Sequence, residues 1–160
     1  MCLIIDTCCL ARVFDRKNSE HAPFAPILDW ITVGKGRIIY GGTKYMKELS
    51  EARKFLGMVT ELSRAGRAIS LPQQEVDDFA AAAKSREPDS RFNDEHIVAL
   101  VVASRCHLVC TNDRQAIPFL KRRDFYQPYG LQRPKIYSHS SHRTQCSDRY
   151  MVAICERAAA

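Results

Sequence analysis

Four acidic residues, Asp6, Glu48, Asp94 and Asp113, stand where this 160-residue chain passes from one element to the next. Asp6 closes the apolar run Cys2-Leu3-Ile4-Ile5, and Asp113 follows Leu108-Val109-Cys110 after Thr111 and Asn112. Glu48 lies one turn into the helix after a second apolar run, and Asp94 opens the helix that leads into the fourth. Singly, each has a structural explanation: Asp94 suits a first turn, where the helix dipole favours negative charge, and Asp113 can open the next helix. Together they make a chemical pattern. Ligands of a parallel α/β sheet bind beyond the carboxyl ends of its strands, so the four can converge on one edge. Crowded carboxylates raise one another's pKa, and a divalent cation removes the conflict. Mg²⁺ and Mn²⁺ prefer hard oxygen ligands. Such ions activate water and clamp a phosphoryl group during in-line displacement.

The elements that must position these acids read as strands alternating with helices. Cys2–Ile5, Arg37–Tyr40, Ala68–Leu71, Leu108–Cys110 and Pro134–Ser138 are short apolar or near-apolar runs, as expected of strands covered on both faces. Between them, Leu10, Val13 and Phe14 have helical spacing, as do Phe24, Ile27, Leu28 and Ile31. Thr43 can cap a helix in which Tyr45, Met46 and Leu49 face inward, and Phe55–Ala65 continues as a further helix. Pro72 opens a helix running to about Ser85, and Ala116–Lys121 forms another. The central helix, Ile97 to Ala103, is apolar nearly all round and so predicted to be buried. Asn93 is its expected N-cap, with Phe92 and Ile97 spaced as a hydrophobic staple. The alternation predicts a three-layer α/β/α fold with a central, mainly parallel five-stranded sheet. Residues 1–138 make one domain, and residues 139–160 are a polar extension, weakly helical from Arg149 to Ala160.

Composition narrows the classes. Apolar residues at 46% suit a globular protein rather than a disordered one. No apolar run approaches the ~20 residues that span a bilayer. The first residues lack a basic leader and run into Asp6, which predicts a strand of a cytoplasmic protein. Seven cysteines, several in apolar surroundings, predict buried reduced thiols. A zinc site from Cys106, His107 and Cys110 with His139, His142 and Cys146 matches no familiar finger spacing. The net charge of +6 is uneven: residues 1–120 carry 16 Lys/Arg against 15 Asp/Glu, and residues 121–160 carry 8 against 3. That asymmetry points to a polyanion, with Lys121, Arg122, Arg123, Arg133, Lys135 and Arg143 as candidate RNA contacts, or to a solvated tail.

Asp6-Thr7 after an apolar strand, Glu48 in an early helix, Asp94 with Ile97 and Ala99, and Thr111-Asn112-Asp113 before a helix together resemble the PIN domain over roughly residues 2 to 138. The resemblance implies a parallel sheet between helices and Mg²⁺- or Mn²⁺-dependent cleavage of single-stranded RNA. It implies Asp6, Glu48, Asp94 and Asp113 as the metal-holding acids. Thr7 would stand near the phosphate, and Thr111 or Asn112 would assist the fourth acid. Many members of that family are toxins paired with an antitoxin protein, often dimeric. Cys8 and Cys9 depart from the pattern, which commonly has a polar residue after Asp-Thr. Glu51 is a rival to Glu48 and Glu95 to Asp94. Two other readings stand beside the nuclease: a non-catalytic RNA- or protein-binding module, and phosphoryl transfer to Asp6. The second lacks the usual Asp two residues on, since position 8 is Cys.

Overall fold

A computed structural model describes residues 2–147 and 152–157. Its five strands are β1 (Cys2–Ile5), β2 (Arg37–Gly41), β3 (Ala68–Leu71), β4 (Leu108–Cys110) and β5 (Lys135–Tyr137). They form one wholly parallel sheet in the order β3-β2-β1-β4-β5. The helices are α1 (Leu10–Phe14), α2 (Ala25–Thr32), α3 (Thr43–Glu51), α4 (Arg53–Arg64), α5 (Gln73–Arg86), α6 (Glu95–Ser104), α7 (Ala116–Leu120) and α8 (Ala153–Arg157). The result is the expected three-layer α/β/α architecture.

The strand runs are short and apolar because both faces of the sheet are covered. Every residue of β1 and β4 is buried. Ile4 pairs with Ile39 on one side and Val109 on the other, so β1 is the middle strand. From β1 the chain builds outward through β2 and β3, then returns to build β4 and β5 on the opposite side. The order therefore reverses between β1 and β4, and in sheets of this kind that switch point is where the ligand crevice lies, beyond the carboxyl ends of the two strands. The helix α6 behaves as its all-round apolarity predicts: His96 to Val102 are buried without a break, and it packs along α5.

Helix starts differ from expectation. Asp94, not Asn93, occupies the N-cap of α6, and its side chain makes no capping bond. The Asn93 side chain instead accepts from Lys44 Nζ at 2.7 Å. The ammonium outcompetes a backbone N–H because charge-assisted hydrogen bonds are the stronger kind. Phe92 is fully buried but stacks on Phe125, with ring centroids 5.0 Å apart. Thr43 is the first residue of α3 rather than its cap; Gly42 holds the cap position at φ +79°. The Thr43 hydroxyl is drawn to Asp77 at 2.5 Å, and its N–H bonds the same carboxylate at 2.8 Å.

Residues 139–147 pack as a 3₁₀ segment, Ser140–Gln145, against β5 and α2. Of the helix expected over 149–160, Ala153–Arg157 is helical, and residues 148–151 and 158–160 lie outside the described residues. The expectation of reduced thiols fails for one pair: Cys2 and Cys155 are joined as a disulfide, with Cα atoms 6.3 Å apart. The fold brings the C-terminal helix against the first strand, a proximity across 153 residues that no local pattern encodes. Cys9, Cys106 and Cys110 are free and buried, whereas Cys8 is exposed.

Candidate active site

The crevice between β1 and β4 is built from the backbone outward. The Asp6 N–H donates to the Cys110 carbonyl at 2.9 Å, extending the β1–β4 ladder one residue past β1. The Asp6 side chain is 5% exposed and caps the 3₁₀ turn Thr7–Cys9. Thr111, fully buried after β4, donates its hydroxyl to Asp6 Oδ2 at 2.7 Å. The Thr111 oxygen in turn accepts the Asp113 N–H at 3.1 Å, and the Thr111 N–H reaches the Tyr137 carbonyl at 3.1 Å. One threonine thus ties the ends of three strands to the first acid. From α3, the buried Tyr45 hydroxyl donates to the Ile5 carbonyl at 2.7 Å. Burial, then the charges of Asp6 and Glu48, push that phenol upward and keep it a donor.

The second acid arrives from α3. Thr7 Oγ1 donates to Glu48 Oε2 at 2.7 Å. His96 Nε2 lies 3.6 Å from the same oxygen, close enough for attraction but beyond a good hydrogen bond. Burial raises the Glu48 carboxyl, but His96, Thr7 and Lys44 outweigh it and hold the carboxyl below its usual range. Glu51 is exposed.

Asp94 and Glu95, adjacent in sequence, have opposite surroundings. Glu95 Oε1 pairs with Lys44 Nζ at 2.9 Å, and although burial opposes it, that bond lowers the Glu95 carboxyl. Among the described residues, Asp94 has no such partner. Burial lifts its carboxyl to about 6, and Asp6 and Asp113 add to the lift against the opposing effects of His96 and Lys44. Asp113 bonds the N–H groups of Gln115 at 2.7 Å and Ala116 at 3.2 Å, both through Oδ1, so it does open the loop into α7. Asn112, half-buried between Thr111 and Asp113 in the chain, turns its backbone toward the Cys8 thiol.

Asp6 and Asp113 therefore both repel Asp94, and Glu48 is tied by Thr7 to the turn that follows Asp6. Among the described residues, no three acidic, imidazole or thiol side chains form a ready-made cage for a metal ion. The reason is local: Thr111 holds Asp6, Thr7 holds Glu48, and backbone donors hold Asp113. Such a site still fits Mg²⁺ or Mn²⁺ by donor chemistry, because Mg²⁺ keeps several waters and binds through one or two carboxylates plus substrate phosphates. The Cys8 thiol is pushed far up by its bond to Cys9, then by partial burial and Asp6. The four acids supply oxygen donors.

Three contributors were not anticipated from sequence. Lys44 neutralises Glu95, Tyr45 pins the end of β1, and His96 sits 3% exposed with neither ring nitrogen hydrogen-bonded among the described residues. The signal for His96 was present: a polar residue inside a run otherwise apolar all round.

The basic candidates separate. Arg122 is half-buried, ion-paired to Glu87 and Asp124, and lies over the Phe125 ring at 4.8 Å, which makes it a clasp within the fold. Lys121, Arg123, Arg133, Lys135 and Arg143 are exposed. Among the described residues, no helix is long and apolar enough to cross a membrane. Comparison with protein-family models, with curated proteins and with solved structures finds no match to this chain.

Proposed function

We propose that this chain is a PIN-type, divalent-metal-dependent endoribonuclease that hydrolyses phosphodiester bonds of single-stranded RNA. The observation that supports it is Asp94: a half-buried carboxyl raised to about 6 beside Asp6 and Asp113, at the point where strand order reverses. A cluster that strains to hold its own negative charge is suited to receive a cation. Bound there, Mg²⁺ or Mn²⁺ would supply an activated water and charge stabilisation at the phosphoryl group.

The protein side chains divide the remaining work. Asp94 and Asp113 would hold the ion, with Asp6 fixed by Thr111 and Glu48 oriented by Thr7. Lys44 silences Glu95, so the excess negative charge concentrates on Asp94. Pre-formed hydrogen bonds matter because each acid then need not reorganise when substrate arrives. The test is incubation of a 5′-labelled single-stranded RNA with Mg²⁺, Mn²⁺ or EDTA. Internal cuts with either ion and none in EDTA are expected. Intact RNA under every condition would favour a binding module, and cutting that persists in EDTA would exclude the metal.

A further inference from the structure

Two surface grooves lie in series along the β5 side of the molecule. The first, of about 460 Å³, is lined by Lys121, Arg133, Lys135, Ser138 and His142 among others. The second, of about 520 Å³, is lined by Arg123 and again by Arg133. Arg133 is thus common to both, and the grooves form one track. Among the described residues, no acidic side chain lines either of them. At its other end the track nears the acid cluster. Ser138 directly follows Tyr137, whose carbonyl accepts the Thr111 N–H, and Thr111 holds Asp6. The His142 ring is held by the backbone at the end of β5. Its Nδ1 accepts the Ser138 N–H at 3.3 Å, so in the neutral ring the proton sits on Nε2, which becomes the donor.

We propose that this track carries the phosphodiester backbone of the RNA strand flanking the scissile bond, a role that rests on the nuclease reading above. Each groove is of ligand size, and their succession suits a long flexible polyanion rather than one compact anion. Lys and Arg read backbone phosphate without regard to sequence. A protein strand would call for a large anchor pocket, and among the described residues no Phe, Tyr or Trp lines either groove. The structure also sorts the basic residues. Arg122 is consumed by Glu87 and Asp124, and Arg143 lies outside both grooves.

The test measures binding of the full chain to a labelled oligouridylate in EDTA, by fluorescence anisotropy across a salt series. Each phosphate contact to a single strand contributes about 0.7 to the slope of log affinity against log salt. The double variant Lys121→Ala, Arg133→Ala should flatten the slope by about 1.4 while its melting temperature holds, and Arg143→Ala should leave the slope unchanged. An unchanged slope in the double variant, or no RNA binding by wild type, overturns the proposal. Equal affinity for polyglutamate and RNA overturns it in favour of an acidic protein partner. Because binding is read without metal, a chain that never cuts RNA yet loses its slope refutes the nuclease reading and supports the track.

Discussion

Asp94 and Thr111 show how single residues shape the crevice. The folded-state pKa of Asp94, about 6, lies above the ~3.9 of an unfolded Asp. Between those values the folded chain binds the extra proton, so this carboxyl's own contribution to stability is greatest below pH ~4 and is lost as pH rises through about 6. Asp94→Asn removes that dependence. Metal-free Asp94→Asn should therefore melt higher than wild type at pH 8, by about 1 kcal/mol once solvent screening is allowed for, and the gap should close toward pH 4. Melting curves in EDTA across pH check this; a gap that ignores pH would place the penalty elsewhere. Thr111→Val keeps the shape but strands the Asp6 carboxylate and the Asp113 N–H, since both bond its hydroxyl. It should cost about 1–3 kcal/mol in urea denaturation, with Thr111→Ser restoring most of it. At this scale the sequence was partly legible. The end of β1 marked Asp6, because a buried strand stops at a charged residue, and the start of α6 marked Asp94. Nothing in it marked Lys44 as the partner that separates Glu95 from Asp94, because that pairing spans 51 residues.

Elements were legible where burial dictates pattern and illegible where tertiary contacts choose the boundary. The strand runs of β1 to β4 and the all-apolar α6 announced themselves through continuous hydrophobicity. The starts of α3 and α6 did not: Asp77 takes Thr43, and Lys44 takes Asn93, each from a distant part of the chain. The β2–α3 turn carries its own requirement. Gly42 has φ +79° and ψ 153°, a region open essentially to Gly, and an added Cβ would meet Val76 Cγ1 at 2.5 Å. Gly42→Ala should cost at least about 2 kcal/mol from strain and overpacking, and should displace α3, which carries Glu48. Gly57, inside α4, has open space where a Cβ would go, so Gly57→Ala should instead stabilise by about 0.5–1 kcal/mol. Urea midpoints of the two variants check the contrast; equal effects would contradict it.

For the whole molecule, the reversal of strand order between β1 and β4 gathers acids from four separate segments at one sheet edge. The disulfide between Cys2 and Cys155 closes nearly the entire chain into a loop, and five cysteines remain free. Thiol titration of the denatured, unreduced protein should count five, rising to seven after reduction; a count of seven before reduction would refute the pairing. The central claim is that this gathered cluster holds a catalytic cation through Asp94. Parallel cleavage assays on single-stranded RNA with Mn²⁺, comparing wild type with an Asp94→Asn variant that melts no lower than wild type, test it most directly. Loss of the ion's several kcal/mol of barrier lowering predicts a fall of at least about a hundredfold in the variant. An Asp94→Asn protein that cuts at the wild-type rate would contradict the account.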